Sequence, residues 1–150
     1  MTDQADPARV QCRDSVRIAA PAEAVWAVVG DLASLVPGGG MVERIELDGE
    51  GAGAIRTFHL SGGARVVERI ESHEPALRCY SYRILDFGPL PFADYVGAAE
   101  VIADGRDGCL LSWSADATPA GVDAATLRTI VAANLDGALQ AVAAHFRPAA

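Results

Sequence analysis

Residues 109–146 read CLLSWSADATPAGVDAATLRTIVAANLDGALQAVAAHF, and the periodicity of this stretch changes once, at Pro119-Ala120-Gly121. Before this tripeptide, apolar and polar residues alternate, which predicts a half-buried strand over residues 109–117. After it, apolar residues recur every three or four positions, which predicts one long amphipathic helix. The apolar face of that helix comprises Leu127, Ile130, Val131, Leu135, Leu139, Val142 and Phe146. A lone helix with such a face must pack against a large apolar partner.

The sequence upstream of residue 109 predicts six further strands, separated by turns rich in glycine, proline and aspartate. Their predicted bounds are residues 10–18, 42–47, 54–60, 64–72, 77–85 and 95–103. Two short helices are predicted after the first strand. The first has Pro21 in its opening turn, and the second is capped by Asp31 and runs to Leu35.

Consecutive strands joined by short turns form an antiparallel meander, and only that sheet is large enough to bury the long helix. We therefore predict an α+β fold in which a curved seven-stranded antiparallel sheet surrounds the C-terminal helix. We expect one domain over residues 1–150, with tails at residues 1–9 and 147–150.

Composition excludes several classes of function. The formal net charge is -8 and no basic stripe is present, which argues against nucleic acids and anionic membrane surfaces. No apolar run approaches the roughly 18 residues of a membrane span. The polar N-terminus lacks the apolar core of a secretory signal, so we expect a cytoplasmic protein. The three cysteines are widely separated, and we expect neither a disulfide, nor a metal, nor a cofactor.

Five phrases occur in order along the chain: Ile18-Ala19-Ala20-Pro21-Ala22-Glu23-Ala24-Val25-Trp26, Gly53-Ala54-Ile55-Arg56, Val67-Glu68-Arg69-Ile70-Glu71, Tyr80-Ser81-Tyr82 and Pro91-Phe92-Ala93-Asp94-Tyr95. Together with the element order, they resemble the START-like (SRPBCC) superfamily, in particular its bacterial polyketide cyclase/dehydrase-type members, the birch-pollen allergen family and plant abscisic-acid receptors. The resemblance covers roughly residues 10–146. It implies a helix-grip fold with an apolar cavity between the sheet and the long helix.

Strand parity indicates which side chains face that cavity, because alternate residues of a strand share one face. The more apolar set of residues 64–72 places Glu68 inside. Parity leaves residues 54–60 ambiguous, and the resemblance places Arg56 inside. The predicted ligand-binding residues are Arg56, Phe58, Val66, Glu68, Tyr80, Tyr82, Tyr95, Trp113, Val131, Asn134 and Leu135. An apolar and aromatic wall with few polar groups is typical of a small-molecule site.

The resemblance assigns two of these positions to a polar ligand network. In the hormone receptors, the residues matching Glu68 and Tyr95 belong to that network, and two loops at the cavity mouth match residues 61–63 and 88–91. The receptors also carry a lysine that pairs with an acidic ligand, where this chain has Pro37-Gly38-Gly39-Gly40. We therefore do not expect a carboxylate held in that way, or hormone sensing.

A buried Glu68 must be paired, hydrated or protonated. Three interpretations stay open: a structural pair with Arg56, a contact with ligand, or a proton-transfer group. His59, His73 and His145 do not cluster, with His59 on the outer face and His73 in a turn, so a histidine-activated nucleophile is not expected.

Two functions are consistent with these residues. The first is binding of a hydrophobic small molecule, such as a lipid or a polyketide-like compound. The alternative is a polyketide cyclase, aromatase or dehydratase, with Glu68 as the catalytic acid or base and Arg56 with Tyr95 or Tyr82 as donors. An interaction module of another kind, such as a chaperone-like protein, and a homodimer remain open.

Overall fold

The computed structural model describes residues 9–148, so most of the two predicted tails lies outside the described residues. One antiparallel sheet has the strand order β1-β7-β6-β5-β4-β3-β2. The strands are β1 Val10–Ile18, β2 Val42–Asp48, β3 Ile55–Leu60, β4 Arg65–Glu74, β5 Cys79–Asp86, β6 Phe92–Ala103 and β7 Cys109–Pro119. The helices are α1 Ala22–Val29 and α2 Ala124–His145. The predicted curved sheet, meander and long helix are confirmed.

The second short helix differs from the predicted residues 31–35. The Asp31 carboxylate accepts a hydrogen bond from the backbone N–H of Ala33 at 3.0 Å, which forms a turn in place of a helix cap. A short 3₁₀ helix, Val36–Gly38, follows. Pro37 has no N–H to donate, and Gly39 has a φ of 59° that ends the helix. Residues 30–42 therefore form an irregular segment beside the sheet.

The long helix begins at Asp123, whose side chain accepts a hydrogen bond from the backbone N–H of Thr126 at 2.7 Å. The buried residues of α2 are Leu127, Val131, Leu135, Leu139 and Val142. This face packs against β1 and β7 and against the 3₁₀ helix. The predicted apolar stripe is confirmed, except that Ile130 and Phe146 are only partly buried.

The register of the sheet positions the polar residues of the interior. Arg56 on β3 lies directly opposite Glu68 on β4, and Tyr82 on β5 lies opposite Gly97 on β6. Strand β4 continues to Glu74, so His73 pairs with Tyr80 and does not lie in a turn as predicted. The reason is that only the 3₁₀ helix Pro75–Leu77 and Arg78 connect β4 to β5, so the pairing of the two strands extends almost to the turn.

Candidate functional site

A cavity of about 230 Å³ lies between the sheet, α2 and the segment 30–42. Ten of the eleven predicted ligand-binding residues line it: Arg56, Phe58, Val66, Glu68, Tyr80, Tyr82, Tyr95, Trp113, Asn134 and Leu135. The eleventh, Val131, is completely buried but is not part of the cavity wall. It lies one helical turn before Leu135, so the cavity ends between these two residues. A role for any of these residues in ligand binding stays a prediction.

Sequence reasoning missed most of the cavity mouth. The further lining residues are Val29, Asp31, Ser34, Pro37, Gly38, Met41, Val42, Leu60, Ile84, Leu90, Phe92 and Ala138. Strand parity indicated Leu60 and Ile84, and helical spacing from Leu135 indicates Ala138. The irregular segment 30–42 gave no periodic signal. Of the two loops expected at the mouth, residues 88–91 contribute Leu90 to the wall, whereas residues 61–63 contribute nothing to it.

The polar end of the cavity is built around a buried ion pair. The Nε and Nη2 atoms of Arg56 both donate to Oε1 of Glu68, at 3.1 and 2.7 Å. The side chains of both residues are less than a tenth exposed. Nη1 of Arg56 donates to the backbone oxygen of Leu32 at 3.3 Å, and Nη2 is 3.4 Å from the Tyr80 hydroxyl. Arg56 therefore ties the irregular mouth segment to β4 and β5.

The second oxygen of Glu68 has a different environment. Among the described residues, no donor forms a hydrogen bond with Oε2, although Glu68 itself is part of the cavity wall. Burial raises the pKa of Glu68, and the neighbouring Arg56 only partly opposes this effect. The carboxylate thus combines one oxygen held by Arg56 with one that can exchange a hydrogen bond or a proton with a ligand.

Most of the remaining polar groups of the cavity wall belong to aromatic side chains, with Asp31, Ser34 and Asn134 as the exceptions. Nε1 of Trp113 donates to the Tyr82 hydroxyl at 3.1 Å, and the rings of Tyr82 and Tyr95 stack with centroids 6.4 Å apart. The ring of Phe92 lies 4.8 Å from that of Tyr95. Burial raises the pKa of Tyr80, Tyr82 and Tyr95, so all three hydroxyls keep their protons at neutral pH. They can donate hydrogen bonds but do not supply a base.

A close approach between β5 and β6 gives Tyr82 its position. A Cβ atom at Gly97 would overlap the Tyr82 hydroxyl and the ring carbons beside it. Glycine at this position therefore lets the Tyr82 ring lie flat over β6, where it reaches both Trp113 and Tyr95.

The described residues form neither a metal centre nor a histidine-containing active site in the cavity wall. Residues 9–148 contain no group of three or more histidine, cysteine, aspartate or glutamate side chains placed to hold a metal ion. His59 lies 2.6 Å from Glu46 on the outer face, and His73 lies 3.0 Å from the backbone oxygen of Gly30. Neither lines the cavity. No helix within residues 9–148 has the length and apolarity to cross a membrane.

A curved antiparallel sheet that holds one long helix, with a cavity between them, defines a helix-grip protein. Within this class, residues 9–147 match the model of the family described as polyketide cyclase/dehydrase and lipid transport. The chain therefore belongs to this family of the START-like superfamily, as the sequence phrases predicted.

Solved structures show the same fold. A Bacillus thuringiensis protein of unassigned function superposes with a TM-score of 0.83 at 24% identity, covering 91% of this chain and 98% of that one. The Zhui aromatase/cyclase from Streptomyces sp. R1128 superposes with a TM-score of 0.77 at 22% identity, covering 91% of this chain and 93% of that one. Truncated norcoclaurine synthase from Thalictrum flavum superposes with a TM-score of 0.76 at 18% identity, covering 99% of this chain and 100% of that one. The comparison with curated proteins gives no match.

Proposed function

We propose that this protein binds one small hydrophobic molecule in the cavity between the sheet and α2. The observation that carries the proposal is the composition of the cavity wall, where aliphatic and aromatic side chains surround a small polar group centred on Arg56 and Glu68. Ligand sites in proteins typically have this make-up, since apolar contact supplies affinity and a few polar atoms fix orientation. The family description, which includes lipid transport, is consistent with such a ligand.

The size of the cavity narrows the class of ligand. Its volume is about 230 Å³, slightly below the range of ~300–1,000 Å³ that is common for pockets of drug-sized ligands. A compact ring compound suits this space better than a long acyl chain. The stacked rings of Tyr82 and Tyr95 offer a flat surface for such a compound.

Native mass spectrometry of freshly purified protein tests this proposal. We expect an adduct of one small molecule per chain, either retained from the host or formed on addition of naphthalene-ring compounds. Denaturation must release the adduct, because the proposed binding is non-covalent. A mass that stays that of the chain alone throughout the titration would contradict the proposal.

A second candidate function is catalysis of an aldol-type ring closure, and the free Oε2 of Glu68 favours it. A carboxylate there would take a proton from a methylene carbon between two carbonyls, and the resulting enolate would attack a second carbonyl carbon of the same chain. The alkoxide formed would then recover the proton from Glu68, so the step is balanced. Burial raises the pKa of Glu68, which makes its carboxylate a stronger base than an exposed one. The Zhui aromatase/cyclase has the same fold.

This alternative is tested with a synthetic poly-β-ketone that cyclises slowly in buffer. If the protein is a cyclase, it accelerates ring closure, and Glu68→Gln lowers the rate by about 10²-fold or more. Glu71→Gln is the matched control, because Glu71 lies on the same strand but on the exposed face. A rate that is unchanged by Glu68→Gln would exclude the assigned role, and a rate equal to that in buffer would leave binding as the function.

A further inference from the structure

Four of the five N–H groups of the Arg56 guanidinium already have partners among the described residues, so only one N–H of Nη1 remains for an anionic ligand. Nε and Nη2 both donate to Glu68, Nη2 is also in reach of the Tyr80 hydroxyl, and Nη1 donates to the backbone of Leu32. Aromatic rings also pack against it, since its central carbon lies 4.9 Å from the centroid of the Phe58 ring and 5.3 Å from that of the Tyr80 ring. A carboxylate entering the cavity could accept only this single N–H, and a two-point contact with Arg56 would have to displace one of these partners.

The charges of the cavity wall also disfavour an anionic ligand. Among the described residues, the wall contains one cation, Arg56, and two carboxylates, Glu68 and Asp31. Asp31 is exposed at the mouth, so an incoming anion passes one carboxylate and ends beside another. Burying an anion without a free cation is strongly unfavourable, and a like charge nearby adds to the penalty.

The free acceptor indicates which ligand group the cavity does suit. Oε2 of Glu68 accepts nothing from the described residues, whereas the adjacent wall of Tyr82, Tyr95 and Phe92 is aromatic. An aromatic compound whose hydroxyl points towards Oε2 would satisfy that oxygen without adding charge. A hydrogen bond to a charged acceptor is worth more than one between neutral groups.

We propose that the cavity selects an uncharged aromatic ligand that bears a hydroxyl donor to Oε2 of Glu68, and that it discriminates against carboxylates. This inference rests on the proposed binding function and adds the chemical class of the ligand. It assigns separate roles to the two oxygens of Glu68, with Oε1 holding Arg56 and Oε2 recognising ligand.

Three probes with one ring system test the inference: 2-naphthol, 2-methoxynaphthalene and 2-naphthoate, titrated at pH 7 and followed by isothermal calorimetry. We expect 2-naphthol to bind about 10-fold or more tightly than each of the other two. Equal or tighter binding of 2-methoxynaphthalene would overturn the donor requirement, and equal or tighter binding of 2-naphthoate would overturn the discrimination against anions. If none of the three binds but native mass spectrometry shows another bound molecule, the inference about ligand class fails while the proposed function stands. If native mass spectrometry shows no bound molecule either, the proposed function itself fails.

Variants locate the selectivity. Glu68→Gln removes the charge of the acceptor, so the preference for 2-naphthol over 2-methoxynaphthalene should fall to about 3-fold or less. Asp31→Asn, at the exposed mouth, tests the second carboxylate without disturbing the buried pair and should strengthen binding of 2-naphthoate. Glu71→Gln on the outer face of β4 should leave all three affinities unchanged. Unchanged selectivity in a folded Glu68→Gln protein would contradict the inference. If Glu68→Gln does not fold, unchanged binding of 2-naphthoate by Asp31→Asn would contradict it.

Discussion

Arg56 and Glu68 lie opposite each other on β3 and β4, and two donors of Arg56 converge on a single oxygen of Glu68, at 2.7 and 3.1 Å. The pair is therefore asymmetric: one carboxylate oxygen serves the structure, and the other lies free in the cavity wall. A structural role and a ligand-binding role for Glu68, which the sequence left as alternatives, can both hold in this geometry.

Removing Arg56 should destabilise the protein strongly. Arg56→Leu leaves the Glu68 carboxylate buried without a partner, and breaking a buried pair in this way costs about 3–5 kcal/mol. The double variant Arg56→Leu/Glu68→Leu should recover much of that loss, since no charge remains inside. Urea unfolding measures both.

Arg69→Leu provides the control for this prediction. Arg69 pairs with Glu71 on the exposed face of β4, so its loss should change the free energy of unfolding far less than the loss of Arg56 does. Similar effects of Arg56→Leu and Arg69→Leu would show that the buried pair contributes no more than an exposed one.

The raised pKa of Glu68 predicts a specific pH dependence. Above the usual value of 4.5 and up to the pKa in the folded state, the folded protein binds more protons than the unfolded chain. The free energy of unfolding contributed by Glu68 therefore falls as pH rises through this window. The free energy of unfolding of the wild type minus that of Glu68→Gln should therefore fall over the same pH window. The other carboxylates are common to the two proteins, so their contributions cancel in this difference. A difference that increases with pH would mean that Arg56 lowers the pKa of Glu68 below its usual value.

Gly97→Ala should damage both stability and ligand binding. The added methyl group would displace the Tyr82 ring from β6 and break its hydrogen bond with Trp113. We expect a loss of about 1–3 kcal/mol in the free energy of unfolding, measured by urea unfolding, together with weaker binding of any cavity ligand. Gly137→Ala is the matched control, because a Cβ atom there meets no other atom within 4 Å. Since Gly137 lies within α2, its replacement by alanine should stabilise the helix by about 0.5–1 kcal/mol. The prediction fails if both substitutions change the free energy of unfolding in the same direction.

The start of α2 depends on its cap. Asp123→Ala removes the acceptor of the Thr126 N–H and should lower the free energy of unfolding, measured by thermal or urea unfolding, because the first turn of α2 loses its cap. Asp123→Asn keeps a capping oxygen and should retain most of that stability. If Asp123→Asn were as damaging as Asp123→Ala, the contribution would come from the charge of Asp123.

Periodicity alone was enough to predict the sheet and α2, because residues such as Tyr80, Tyr82 and Ile84 alternate with less buried neighbours along a strand. The same alternation placed Glu68 on the inner face. It could not place Arg56, since both faces of β3 carry apolar residues and the resemblance decided that side.

Periodicity could not predict which residues form the cavity mouth. Residues 30–42 follow no repeat, and their course depends on the Asp31 turn and on the bond from Arg56 to Leu32, which joins segments distant in sequence. The position along α2 at which the cavity ends could not be predicted either. Val131 and Leu135 share one helical stripe, yet only Leu135 lies where the sheet and helix separate.

The central claim, that a small molecule occupies the space between the sheet and α2, is tested most directly by filling that space. Ala138 lies in the cavity wall, whereas Ala132 is exposed on the same helix. We predict that Ala138→Phe abolishes one-to-one binding of 2-naphthol in a calorimetric titration, while Ala132→Phe leaves the affinity unchanged. Binding that survives unchanged in a folded Ala138→Phe protein would place the ligand elsewhere and contradict the claim.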